Sequence, residues 1–415
     1  MVLMLLLIFA GIGFLVVHYT TQSNNSGGGT VSTGPFKPDL AFKPFTLQQL
    51  LSNKTKVDLA KSGTRIHSAK FVQIEAQTSK IRGLPLKKNV PLISCSDQLI
   101  LYQLLTEFNK QTSHEQAVAD QKLLVALGLF KPGQNLEEIE AKVLTEQIAG
   151  SYDPDTKEIT IVSGKGLGTV TDEVTMAHEV THALQDQNFG LTKAPLDNPD
   201  YNGDQQSSID SLVEGDATAT MYLYAQTYLS AAQLMQMQSE SQNVSSTQLD
   251  KAPLYLRRSL LFPYESGASF VEALQKAGGE EQVNAALRSP PLATEQIMHP
   301  DVFLAGKGKP IPVPLPGLAP VLGKGWSRIN DDAMGEFDIE VWFEQYAGKA
   351  TATEASQGWA GNTIQYFQGP GKDYVMPNMT AWDFQLDAQE FFDDYVKVLK
   401  GRFGSKLKKI GGTVL

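Results

Sequence analysis

The chain is short of the residues that build several common kinds of site. Among 415 residues there is one cysteine, Cys95, so an internal disulfide and a cluster of thiolate metal ligands are both excluded. Basic residues are outnumbered, 35 Lys and Arg against 45 Asp and Glu, for a net charge of −10. They form no long run, and a surface of this sign repels phosphate backbones, which argues against nucleic acid as a partner. Histidine is also scarce, six in all, so two of them close together carry weight. Apolar residues make up 42%. That is enough for a sizeable core, it excludes wholesale disorder, and the length suits one large domain or two.

Residues 1–17 are an unbroken run of apolar residues and glycine. As a helix the run spans roughly 26 Å, near the lower limit for crossing a bilayer. No basic residue precedes it and no good cleavage site follows closely. Residues 1–19 are therefore expected to be a transmembrane anchor holding the rest of the chain outside the cytoplasm, with a cleaved signal segment and a secreted protein as the alternative. Residues 20–44, rich in Ser, Asn, Gly, Thr and Pro, read as a flexible tether. Residues 45–310 are then expected to form the main globular domain. A Pro- and Gly-rich stretch at 306–323 separates it from a mixed α/β region at 320–415.

Within this frame, alternation at residues 70–74 reads as a strand. Residues 95–150 are helical with a break at Lys131-Pro132-Gly133. A turn signal at 151–157 followed by β-branched residues 158–162 predicts a hairpin. Helical spacing returns through Phe189 and again over 207–229. Residues 233–250, rich in Gln and Ser, read as an exposed insertion. A helix through Phe270 stops at Gly278-Gly279, and another covers 387–400. The fold class is α+β.

The chemistry lies in Ala177-His178-Glu179-Val180-Thr181-His182-Ala183, an H-E-x-x-H sequence on a predicted helix. Two residues four apart are only about 40° apart around a helix, so both imidazoles can meet one cation. Glu179 flanks that position at about 100°, where a general base belongs. Val170, Val174, Ala177, Val180 and Leu184 form an apolar arc with the histidines at its edge. Thr169 and Asp172 supply a capping box at the helix start.

A zinc site with an open catalytic position needs three protein ligands. With no cysteine or third histidine nearby, a carboxylate is expected, and Glu214 is the best candidate. It sits mid-helix among apolar and small residues, where an unpaired carboxylate is costly and calls for a cationic partner. Gly215, Ala217 and Ala219 would let its helix approach another backbone. Asp216, about 200° further round, is expected to be a supporting or structural residue.

H-E-x-x-H followed by a glutamate on a later helix resembles the gluzincin metalloproteases. The likeness implies His178 and His182 as zinc ligands, Glu214 as the third, Glu179 as general base, and a zincin-like catalytic domain. One departure is that Thr218, not aspartate, stands four residues after Glu214; Asp210 is the substitute for orienting a ligand histidine. Segments 146–153, 182–187, 213–217, 263–267 and 294–300 extend the resemblance to a family of bacterial and archaeal gluzincin-like proteins, commonly membrane-anchored or exported. The resemblance also implies that residues 158–163 are the edge strand that binds an extended peptide. It offers two donors for the oxyanion: Tyr264, similar to the tyrosine after the third ligand in aminopeptidase-like gluzincins, and His299, as thermolysin-like enzymes use a histidine. The reading implied is a zinc metallopeptidase acting on a peptide or protein. A membrane-tethered non-catalytic zinc- or peptide-binding protein and a zinc hydrolase of a non-peptide substrate are the alternatives. His67 and His114 read as surface residues, and Trp326, Trp342, Trp359 and Trp382 as packing aromatics.

Overall fold

The computed structural model describes residues 63–96, 99–100, 114–147, 150–162, 167–242, 247–371 and 373–404. These form a mixed helix-and-sheet protein in which helix dominates. The expected N-terminal transmembrane helix and tether fall outside the described residues, and no described helix is long and apolar enough to cross a membrane. The fold is therefore corrected to mixed helix and sheet with no membrane-spanning helix among the described residues. The membrane-anchored, extracytoplasmic localisation is withdrawn with the anchor on which it stood.

Strand β1 (Thr64–Ile66) leads into helix α1 (Ala69–Arg82). The alternation at 70–74 is thus not a strand. Phe71, Ile74, Glu75, Thr78 and Arg82 share one buried face at helical spacing, while Val72 is left 53% exposed. Ser68 caps the start by accepting the Phe71 N–H, and Gly83 ends the helix in the left-handed region at φ 70°. After β2 (Leu92–Cys95) come α2 (His114–Leu127) and α3 (Leu136–Gln147). The predicted hairpin then forms from β3 (Gly150–Asp153) and β4 (Glu158–Val162). The four strands lie in the order β1-β2-β4-β3, with β2 and β4 parallel and the other pairs antiparallel. This corrects the expected peptide-binding edge. β4 is interior, paired on both sides, and the edge beside the next helix is β3.

That helix is α4 (Val170–Phe189), followed by α5 (Gly203–Tyr228), α6 (Ala231–Gln242), α7 (Leu254–Arg288) and the short α8 (Thr294–Met298). The Gln-rich stretch expected to be an exposed insertion is in part α6. Met237 is buried in the core, and Glu240 accepts from Thr171 N–H and Oγ1 at the start of α4. α7 starts sixteen residues before Phe270 and runs through Pro263, with non-helical backbone at Gly278 and Gly279. Ile74, Ile159, Val180, Leu184, Leu212 and Phe270 belong to the core that joins the first sheet to these helices.

The remainder comprises β5 (Ser327–Asp332), α9 (Glu336–Ala347), α10 (Lys349–Ser356), β6 (Trp359–Gln368), β7 (Tyr374–Val375), β8 (Asn378–Trp382) and α11 (Gln385–Phe403). β6 pairs antiparallel with each of the other three strands. A second core draws Leu127, Phe130 and Val143 of the earlier helical region together with Trp342, Phe343, Trp359 and Phe391. Trp342 and Trp359 are thus packing residues in the interior.

Candidate metal centre

Every residue of α4 from Glu173 through Asp186 is buried, so the helix is held from all sides before any ligand is considered. Its start is the capping box predicted from Thr169 and Asp172, with Asp172 N–H to Thr169 Oγ1 at 3.0 Å and Thr169 N–H to Asp172 Oδ2 at 2.9 Å. Gly190, at φ 80°, closes it.

On this helix the rings of His178 and His182 meet edge to face, centroids 4.6 Å apart. Their Nε2 atoms are 3.0 Å apart, and Glu214 Oε2 lies 3.1 Å from the first and 3.4 Å from the second. Ligands at about 2.0–2.1 Å from a tetrahedral ion stand about 3.3 Å from one another. Three ligand atoms converging at these separations in a buried position can hold a metal ion.

The electrostatics agree with the donor set. Burial lowers the His178 pKa to about 4, which keeps the ring neutral as a ligand nitrogen must be. Glu214 is held below the ordinary carboxylate range, because the two histidines, His182 foremost, outweigh the burial that opposes them. Burial works against charge on His182 too, yet the Glu214 and Glu179 carboxylates raise its pKa to about 9. A fully buried site that draws in a positive charge is suited to a cation.

Glu179 flanks the triangle as its helical angle predicts. Its Oε2 accepts the Tyr152 N–H of edge strand β3 at 2.6 Å, and its Oε1 is buried with no partner. Burial pushes its pKa up to about 7; Glu214 adds to this, while His182 and the Tyr152 N–H oppose it. Tyr152 also grips α4 further along, its hydroxyl donating to Asp186 Oδ2 at 2.6 Å, where Lys157 Nζ pairs at 2.7 Å.

The helix crossing of α5 and α7 brings Tyr264 to the site. A Cβ on Gly215 would lie 2.2 Å from the carbonyl carbon of Gly267, and one on Gly267 2.1 Å from Ser211 O, so only two glycines permit this approach. Tyr264, three residues before Gly267, then lies with its ring 6.2 Å from His178 at 24° and its hydroxyl beside the Glu214 carboxylate. Burial, with Glu214, Glu179 and Asp210 nearby, drives its pKa well above 10, so it stays a phenol.

Two expected residues stand elsewhere. His299 Nε2 bonds Glu336 Oε1 of α9 at 2.8 Å, which raises its pKa, and it is not part of the His178–His182–Glu214 group. Asp210 takes a hydrogen bond from Gln206 Nε2. The residue on His182 Nδ1 is instead Gln185, at 2.9 Å. Its place one turn after His182 on the same helix was the available signal.

Comparison with known proteins adds one finding. Residues 323–413 match the model of a family described as a domain of unknown function, DUF8575. The match covers β5 through α11 and begins after the last residue of the His/His/Glu cluster, so it assigns that cluster no role. No curated protein and no solved structure matches the chain.

Proposed function

We propose that the protein is a zinc-dependent hydrolase of peptide bonds, with His178, His182 and Glu214 holding the metal and Glu179 as general base. The observation that carries this reading is the state of Glu179, one oxygen fixed by a backbone N–H and the other buried without a partner beside the ligand triangle. A purely structural metal site has no use for such a carboxyl, whereas a base needs one free, oriented oxygen. Two imidazoles and one carboxylate without a thiolate favour zinc. The peptide as substrate is supported by the likeness of the motif to gluzincin peptidases.

When bound, zinc supplies Lewis-acid polarisation of a carbonyl and lowers the pKa of water toward neutrality. Glu179 Oε1 accepts the proton that the attacking water gives up and returns it to the leaving amine. The Tyr152 N–H keeps the carboxyl turned to that task. Tyr264, a phenol beside Glu214, is the donor for the developing oxyanion.

The test is zinc content together with cleavage of a mixed peptide library. One equivalent of zinc and cleavage are expected of the native protein. Glu179→Gln should keep the zinc and lose about two or more orders of magnitude in rate. A zinc-loaded native protein that cleaves no peptide overturns the reading.

A further inference from the structure

The two ligand histidines are supported unequally. His178 Nδ1 is buried and has no hydrogen-bond partner. His182 Nδ1 faces Gln185 Oε1 at 2.9 Å, and behind Gln185 lies a chain of buried polar groups that reaches two further helices. Gln185 Nε2 donates to Val213 O at 2.9 Å and to Asp216 Oδ2 at 2.8 Å, both on α5. Arg82, at the end of α1, donates from Nε to Asp216 Oδ1 at 2.6 Å. Arg82, Asp216, Gln185 and His182 are all fully buried.

Each link in this chain has one permitted direction. A guanidinium only donates, so Asp216 Oδ1 must accept. The two groups facing Gln185 Nε2 are a carbonyl and a carboxylate, which only accept. The amide cannot flip without setting oxygen against oxygen at both contacts, so Oε1 faces His182. An acceptor at Nδ1 requires the proton to be there, so the neutral ring that a metal requires carries its lone pair on Nε2, at the ligand triangle.

Arg82 is itself held by the far half of α7. Its Nη2 donates to Asn284 Oδ1 at 2.9 Å. Its Nη1 lies 2.8 Å from Glu280 Oε2 as an ion pair without hydrogen-bond alignment. Both partners follow the break at Gly278 and Gly279, where Gly279 has φ 67°.

We infer that Gln185, Asp216 and Arg82 are positioning residues that fix His182 as the Nδ1–H tautomer and so present its Nε2 to the metal. This rests on the metal-binding reading above. It makes His182 the pre-set ligand of the pair and explains why a charged pair, expensive to bury, stands in the core beside the site.

Asp216→Asn tests the direction of the relay. Arg82 would hold the new amide oxygen, turning its NH2 toward Gln185 Nε2, donor against donor. Gln185→Met keeps the length of the side chain and removes the acceptor without touching a charge. The readouts are the His182 tautomer by long-range 1H–15N NMR on histidine-labelled protein, zinc affinity by competition with a chelator, and the visible spectrum of the Co2+ form. The zinc-loaded native protein should show His182 protonated at Nδ1 and not at Nε2. Both variants should bind zinc about 10- to 100-fold more weakly, with an altered Co2+ spectrum and unchanged far-UV circular dichroism. If Asp216→Asn fails to fold, Gln185→Met decides alone. Unchanged zinc affinity and Co2+ spectrum in folded Gln185→Met, with a native protein that binds both metals, overturn the relay and leave the zinc reading standing. A native protein that binds neither metal overturns both.

Discussion

At the scale of single residues, Tyr264 and His299 stood as near-equal candidates in the sequence, and only their neighbours separate them. Tyr264 reaches Glu214 and stacks on His178; His299 spends its Nε2 on Glu336. On the proposed mechanism Tyr264→Phe removes a donor that matters only as charge develops, so it should lower kcat about 10²- to 10³-fold with KM and zinc content little changed. An equal loss of zinc would instead make the hydroxyl part of the ligand support. His299→Ala strands Glu336, whose Oε2 already lacks a partner. It should cost about 1–3 kcal/mol of stability by urea titration and leave kcat unchanged. Residues placed by one helix's own geometry were legible beforehand: His178, Glu179 and His182 are fixed relative to one another by a spacing of four. Glu214 was legible because the alternatives were few. Tyr152 was not, and of Gln185 only its place one turn after His182 was, because the rest depends on which helix or strand lies opposite, and spacing carries no such information.

The same division holds for whole elements. The Thr169–Asp172 capping box and the hairpin turn at 151–157 are local signals and formed as expected. Residues 70–74 misled because five residues are too few to separate a strand's alternation from the face of a helix whose period shows only when Thr78 and Arg82 are included. The edge strand was misplaced because sheet order is a long-range property. Gly215 signalled a close approach but not its partner. With Gly267 now opposite it, the crossing of α5 and α7 can be tested directly. In Gly267→Ala the new methyl meets the Ser211 carbonyl, and in Gly215→Ala the Gly267 backbone. Backbone cannot rotate aside as a side chain can, so each change should cost about 1–3 kcal/mol or more, read as a lower urea midpoint. Because Glu214 and Tyr264 flank the crossing, zinc affinity should fall with it. A variant that keeps both native stability and zinc affinity would show that the helices can part without disturbing the site.

For the molecule as a whole, the junction of the two cores carries an unusual concentration of acid. Asp204 in the first turn of α5 and Asp338 in the first turn of α9 lie near Asp332 and Glu336, while the nearby base His299 is taken up by Glu336. Asp204 Oδ1 accepts the Thr294 N–H at 3.1 Å and its Oγ1 at 2.5 Å, but Oδ2 is buried without a partner. Asp338 accepts the Tyr255 hydroxyl at 3.0 Å. Burial pushes Asp204 up to about 7 against the Thr294 hydrogen bonds, with Asp332 and Glu336 adding to the rise. Burial likewise takes Asp338 to about 7, with Asp204 adding and Tyr255 opposing. In the unfolded chain both titrate near ~4. Between about pH 4 and 7 the folded protein therefore holds protons that the unfolded chain has released. Their contribution to stability is complete below about pH 4 and is lost as pH rises through 7. Stability measured by urea unfolding should fall from pH 5 to pH 8 by more in the native protein than in Asp204→Asn. The variant stays neutral throughout and keeps an oxygen for Thr294. The difference in slope should reach about 1.4 kcal/mol per pH unit between pH 5 and 7. Parallel profiles for the two proteins would mean that Asp204 releases its proton at the same pH folded and unfolded, and that the junction of the cores is wetter than its packing implies.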